Sequence, residues 1–299
     1  MLDKTLLVDI KRNALDDGPG IRTLVFFKGC PLSCVWCQNP EAISPFKEIS
    51  FNRNSCSECE TCLSVCNQDA IDFSYEYRIN RSKCNLCGKC IEVCPNSALK
   101  FVGQEYSIKD LLEIILKDKI FYKNSGGGVT FSGGEPLYHI DYMKALVKEL
   151  KKEEINVCIE TCGYYNRNKF YKFILPHIDL IYFDLKIYEP ELHAKYCKVS
   201  NERILANFED VIKNKSIEIV PRIPLIPNIT DTDDNLSKLA NYLKTLNIRR
   251  IILLPYNPLW VSKPAMIGIK PSYNYSEWID IKNKERIKSI FSDLEFNDF

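Results

Sequence analysis

Cys30, Cys34 and Cys37 form a Cys-x-x-x-Cys-x-x-Cys run, Cys-Pro-Leu-Ser-Cys-Val-Trp-Cys, with no fourth cysteine to complete it. Three thiolates can hold three corners of a cubane 4Fe–4S cluster and leave the fourth iron open to bind and transform a substrate. Four thiolates close the cluster and suit it to passing electrons. A zinc knuckle is the competing reading, but zinc wants a fourth Cys or His close by, and the nearest of three histidines is His139. Buried core thiols are the third alternative.

A second pattern follows at once. Cys56, Cys59, Cys62 and Cys66 make Cys-x-x-Cys-x-x-Cys-x-x-x-Cys, and Cys84, Cys87, Cys90 and Cys94 repeat it 28 residues later. In bacterial two-cluster ferredoxins the fourth cysteine of each run ligates the other cluster. The expected sets are therefore Cys56, Cys59, Cys62 with Cys94, and Cys84, Cys87, Cys90 with Cys66. Pro95 follows the second run, whereas Asn67 stands in its place after the first. Each run leads into a similar segment, Asp69-Ala70-Ile71 and Ser97-Ala98-Leu99, as an internal two-fold repeat would. Zinc ribbons pair two Cys-x-x-Cys units instead. The repeat predicts a ferredoxin-like module at 48–102, inserted into a larger domain made of 1–47 and 103–299.

The remainder must position the three-cysteine run. The 299 residues suffice for one large domain or two smaller ones with an ordinary buried core. Forty basic against 39 acidic side chains give no bulk attraction to nucleic acid or anionic membrane. No apolar stretch approaches the roughly 18 residues of a spanning helix, and the first residues lack a secretory layout. These features predict a cytoplasmic protein. In that reducing setting fourteen cysteines, eleven of them between positions 30 and 94, ask for metal rather than disulfides. Outside the module, short apolar runs alternate with helical patterns, predicting strands at Thr23–Phe27, Val129–Ser132, Val157–Glu160, Leu180–Asp184, Ile217–Ile223 and Ile251–Leu254. The stripe Met143, Leu146, Val147 and Leu150 marks a helix over Tyr142–Glu153. About six such units make an α/β fold two short of a closed eight-fold barrel, with chemistry expected at the strand C-termini. Gly133-Gly134-Glu135, Glu160-Thr161-Cys162, Asp184-Leu185-Lys186, Arg222 and Pro255-Tyr256-Asn257 fall there. Gly133 and Gly134 let backbone approach a ligand closely, and Glu135 can accept hydrogen bonds from an ammonium group.

Taken together these stretches resemble the glycyl-radical-enzyme activating enzymes of the radical S-adenosylmethionine superfamily. The resemblance rests on Asp17-Gly18-Pro19-Gly20-Ile21-Arg22, on the Cys30–Cys37 run with Trp36 before its last cysteine, and on Ser125 to Pro136. It continues through Glu160 to Tyr164, Asp184 to Lys186, His193, Ser200-Asn201, Arg222 with Pro224, and Leu254-Pro255-Tyr256. It implies a partial (β/α)6 TIM-like barrel with an inserted ferredoxin-like domain carrying two auxiliary 4Fe–4S clusters. The catalytic third cluster, on Cys30, Cys34 and Cys37, would bind S-adenosylmethionine through its open iron. The same resemblance places Trp36, Gly133, Gly134, Glu135, Glu160, Thr161, Asp184, Lys186 and Asn257 around that cofactor, with a monovalent cation near the carboxylates. Reductive cleavage would give a 5′-deoxyadenosyl radical, which removes hydrogen from a backbone glycine of a partner glycyl radical enzyme. Asp17 and Arg222 would position the partner's glycine loop. A flavodoxin or ferredoxin would donate the electron to a chain that is monomeric when free.

Three positions depart from the family pattern: Gln38 replaces a usual His, Asn257 replaces the His of Pro-Tyr-His, and Cys197-Lys198 replaces Thr-Gly. Cys158, Cys162 and Cys197 read as buried small apolar residues. Two other functions stay open: a radical enzyme acting on another peptide or a small molecule, and a non-enzymatic ferredoxin-type electron carrier. The latter leaves the barrel without a purpose. The sequence names neither the partner nor its substrate, and it leaves open whether the auxiliary pair relays electrons or braces the fold.

Overall fold

The computed structural model describes residues 3–299. Its strands in chain order are β1 (Lys4–Ala14), β2 (Arg22–Phe27), β3 (Glu48–Phe51), β4 (Leu99–Val102), β5 (Gln104–Ser107), β6 (Gly128–Gly133), β7 (Asn156–Thr161), β8 (Leu180–Asp184), β9 (Glu218–Leu225), β10 (Arg250–Pro255) and β11 (Glu295–Phe296). Nine of them form one sheet in the order β11-β10-β9-β8-β7-β6-β2-β1-β5. Pairing from β2 through β6, β7, β8, β9 to β10 is parallel throughout. These are the six strands expected from the sequence, and they make the partial (β/α)6 barrel. Strand β1 adds antiparallel to β2 and carries β5 on its far side, which the periodicity of Lys4–Ala14 did not announce.

Alternation along the parallel strands gives the sheet two different faces. Val129, Phe131, Val157, Ile159, Ile181, Phe183 and Ile223 pack outward beneath the helices in the main core. The helix Ile140–Lys152 lays Met143, Leu146, Val147 and Leu150, all fully buried, onto that layer. The inner face is polar toward the strand C-termini, with Ser132, Glu160, Asp184 and Arg222, and apolar below them at Cys158, Leu180, Tyr182 and Val220. Glycine is required where strands and turns meet: a Cβ on Gly127 would lie 1.8 Å from the Ile21 carbonyl oxygen.

Strands β3 and β4 pair antiparallel and close the base of the cysteine-rich segment, whose own apolar cluster includes Ile49, Phe51, Ile71, Ile79 and Leu99. The 28-residue repeat is visible in the backbone. Short helices at Thr61–Ser64 and Lys89–Glu92 each start from a left-handed residue, Glu60 and Gly88. The amides of Ala70 and Ala98 donate to Cys66 Sγ and Cys94 Sγ at 3.4 and 3.2 Å. An ion pair at 2.6 Å between buried Lys28 and half-buried Glu48 ties the segment to the strand that leads into Cys30. No helix among the described residues is long and apolar enough to cross a membrane.

Candidate active site

The loop after β2 carries the three-cysteine run into the mouth of the barrel. Its shape is imposed from outside: the amides of Ser33 and Val35 donate to the carbonyls of Cys197 and Tyr196, and Cys30 N–H donates to Ile43 O, each at 3.0 Å. A cavity of about 720 Å³ opens beside it. Cys30, Cys34, Cys37, Trp36, Gly133, Gly134, Glu160, Thr161, Asp184, Lys186, Arg222, Asn257 and Asp17 all line this one space. At its wall Gly133 has φ +106, and a Cβ there would sit 2.3 Å from Phe27 N, so the backbone itself forms the surface.

Opposite charges alternate across the cavity floor. Arg222 donates to Asp184 at 2.8 Å and also pairs with Glu160, while Lys186 donates to the other Asp184 oxygen at 3.0 Å. Burial disfavours charge on Asp184, but Arg222 and Lys186 outweigh it and hold the carboxyl below its usual range. Burial likewise opposes charge on Lys186, and Asp184 more than restores it. Asp17 is the exception: burial and the neighbouring Glu160 push its carboxyl up to about 6.

Asp17 is held from below by Arg22, a fully buried guanidinium whose acceptors among the described residues are all neutral. Arg22 Nε donates to Thr130 Oγ1 at 2.6 Å, and that hydroxyl donates to the Asp17 carbonyl at 2.7 Å. Arg22 Nη1 reaches Pro19 O at 3.1 Å, and Nη2 reaches Val129 O and Asn156 Oδ1 at 2.7 and 3.0 Å. The Asp-Gly-Pro-Gly-Ile-Arg stretch therefore folds back on its own arginine.

Glu135 departs from expectation: it does not line the cavity. Completely buried, it accepts from Leu137 N–H, Thr161 Oγ1 and Cys162 N–H at 2.7–3.0 Å, so its oxygens brace the neighbouring strand ends. Asn257 stands at the wall, but its Oδ1 accepts from Leu259 N–H at 2.9 Å and shapes the next turn. Gln38 contributes its carbonyl, which with Asn39 and Glu41 receives the Lys263 ammonium. Cys158, Cys162 and Cys197 are buried as expected. Two are more than filler, since Cys162 lies against Cys30 and Cys197 against Cys34. Only tertiary structure could place them there.

In the inserted segment two further cavities gather the remaining cysteines. Cys56, Cys59, Cys62 and Cys94 line one, and Cys66, Cys84, Cys87 and Cys90 line the other. Each set draws its fourth member from the opposite run, the donor arrangement that suits a cubane cluster.

Comparison with known proteins agrees with this architecture. The radical SAM superfamily profile matches residues 83–240, and a 4Fe-4S dicluster domain profile matches 55–105. The trans-4-hydroxy-L-proline dehydratase activating enzyme of Clostridioides difficile is 40% identical, covering 98% of this chain and 97% of that one. The choline trimethylamine-lyase activating enzyme of Oleidesulfovibrio alaskensis is 35% identical over 98% and 96%. A radical SAM methyltransferase from Sphaerobacter thermophilus, 12% identical with TM-score 0.53 over 98% of this chain and 76% of that one, shares the fold alone. The similarity runs through both chains nearly end to end, and the protein belongs to the glycyl-radical-enzyme activating enzymes of the radical SAM superfamily.

Proposed function

We propose that this chain activates a partner glycyl radical enzyme with three 4Fe–4S clusters, one on Cys30, Cys34 and Cys37 and one in each cavity of a ferredoxin-like unit at 48–102. The rest of the chain, 1–47 and 103–299, is the barrel that holds the first. When bound, the catalytic cluster and S-adenosylmethionine supply a 5′-deoxyadenosyl radical that takes hydrogen from a backbone glycine of the partner. The observation that carries this reading is the single cavity uniting the three cysteines with Gly133, Gly134, Asp184, Lys186, Asp17 and Arg222.

The protein's own groups divide the work. Gly133 and Gly134 offer bare backbone to the methionyl amino group. Lys186 meets the methionyl carboxylate, with Glu160, Thr161 and Asp184 beside it and a monovalent cation close by. Trp36 and Asn257 border the adenosyl group. Arg222 stands over the Tyr182 ring at 5.2 Å with its charge fixed by two carboxylates, and with Asp17 it receives the partner's glycine loop.

Electrons come from a flavodoxin or ferredoxin, and the free chain is a monomer. Among partners, a trans-4-hydroxy-L-proline dehydratase is the first to try, given the name of the 40% identical relative. Anaerobic reconstitution should load about 12 iron atoms per chain. Cys34→Ala should then abolish S-adenosylmethionine cleavage while retaining about eight. Iron near four in the unaltered protein removes the insert from the scheme, and surviving cleavage in Cys34→Ala removes the catalytic assignment.

A further inference from the structure

Arg78 is 2% exposed, yet its Nε and Nη1 have no hydrogen-bond partner among the described residues. Nη2 alone is engaged, reaching the solvent-facing Glu58 carboxylate at 3.3 Å. A buried guanidinium with two idle nitrogen donors is costly unless something accepts from them. Arg78 lines the cavity bounded by Cys56, Cys59, Cys62 and Cys94. Its guanidinium lies 3.6 Å over the Phe73 ring and 5.3 Å from that of Phe51, two further residues of the same cavity wall. The rings fix the plane of the group, and the backbone at Arg78 holds a left-handed φ of 60 to bring it there.

The internal repeat supplies the control. Shifting by 28 residues maps Arg78 onto Ser50, a neutral side chain whose hydroxyl donates to Lys100 O at 3.3 Å. In the second cavity the cationic wall residue is Lys89, which is exposed. Nearby Arg81 gives its Nη groups to the carbonyls of Ile79, Ile49 and Met266 and does not line that cavity. Arg81 Nε is also buried without a partner among the described residues, but only in the first half does a buried arginine line the cysteine cavity itself.

We propose that Arg78 is a potential-setting residue of the cluster held by Cys56, Cys59, Cys62 and Cys94, donating from its two unpartnered nitrogens, Nε and Nη1, to that cluster's sulfur atoms. A thiolate-bound cluster is anionic and gains a further negative charge on reduction, so a buried cation and hydrogen bonds to sulfur favour the reduced form. This makes the first cluster the easier of the auxiliary pair to reduce. The inference rests on the insert holding two clusters.

The test is a redox titration of the reconstituted holoenzyme followed by electron paramagnetic resonance, with the auxiliary waves assigned by the ligand swaps Cys59→Ser and Cys87→Ser. Arg78→Met should make the Cys59-assigned cluster at least tenfold harder to reduce, a shift of about 59 mV to lower potential for one electron, and move the other wave less. Should Arg78→Met fail to load iron, Arg78→Lys keeps the charge with altered donors and should move the same wave in the same direction by a smaller amount. A fully loaded variant with that wave unmoved, or with both moved equally, overturns the role of Arg78. Auxiliary waves missing from the unaltered protein refute the two-cluster reading and this one with it.

Discussion

Thr130→Val isolates the link between the buried arginine and the cavity. Valine keeps the volume and shape of threonine but deletes the hydroxyl that accepts from Arg22 at 2.6 Å and donates to the Asp17 carbonyl at 2.7 Å. Losing one bond to a charged donor and one neutral bond costs about 2–4 kcal/mol. Arg22 retains Pro19, Val129 and Asn156 as acceptors, which favours the lower end of that range. The portion that acts on Asp17 is the neutral bond, about 1 kcal/mol, or roughly fivefold in kcat/KM toward the protein partner. The assay compares glycyl radical formed on the partner with 5′-deoxyadenosine released without it, under a chemical reductant. Radical transfer should fall about fivefold, mainly through KM, while partner-free cleavage stays at the level of the unaltered protein. Equal losses in both, or no loss in either, would refute the claim that Thr130 acts through Asp17.

Three further predictions concern the Asp17 carboxyl and the electron supply. Because burial and Glu160 hold the Asp17 carboxyl up at about 6, radical transfer should rise as pH passes through about 6, and Asp17→Asn should flatten that rise. The same shift has a stability sign. A carboxyl whose folded value exceeds its unfolded value of about 3.9 loses stability as pH climbs between the two. Asp17→Asn should therefore melt higher than the unaltered protein above pH 6 by calorimetry, and no difference there would contradict the burial of the charge. Cys59→Ala should spare cleavage driven by a small reductant and impair cleavage driven by a reduced flavodoxin or ferredoxin. Equal loss with both donors would count against a relay.

Much of this molecule was legible because its chemistry demands local spacing. The six parallel strands were found from apolar runs between turn signals, and each lies within a residue or two of its expected ends. Strand β1 was missed since the apolar run Leu6-Leu7-Val8 and the polar run Lys11-Arg12-Asn13 break its alternation at either end and only half of it is covered. Glu135 lies behind the cavity wall for a different reason. A carboxylate beside two glycines suggests a ligand contact, but the strand-end amide of Cys162 and the Thr161 hydroxyl lie far off in sequence and claim it first. The same limit hid Cys162 and Cys197, whose proximity to Cys30 and Cys34 comes from strand order and from the helix Pro190–Cys197. Arg78 gave no local signal at all, because an arginine between two Cys runs reads as surface until its burial is known.

The most direct test of the central claim is electron paramagnetic resonance of the reconstituted protein mixed anaerobically with S-adenosylmethionine, a low-potential reductant and a candidate glycyl radical enzyme. The account predicts a glycyl radical doublet on the partner, with 5′-deoxyadenosine formed alongside it and both lost in Cys34→Ala. Turnover of S-adenosylmethionine that leaves every candidate partner without a doublet, and modifies a small molecule or another peptide instead, would contradict it.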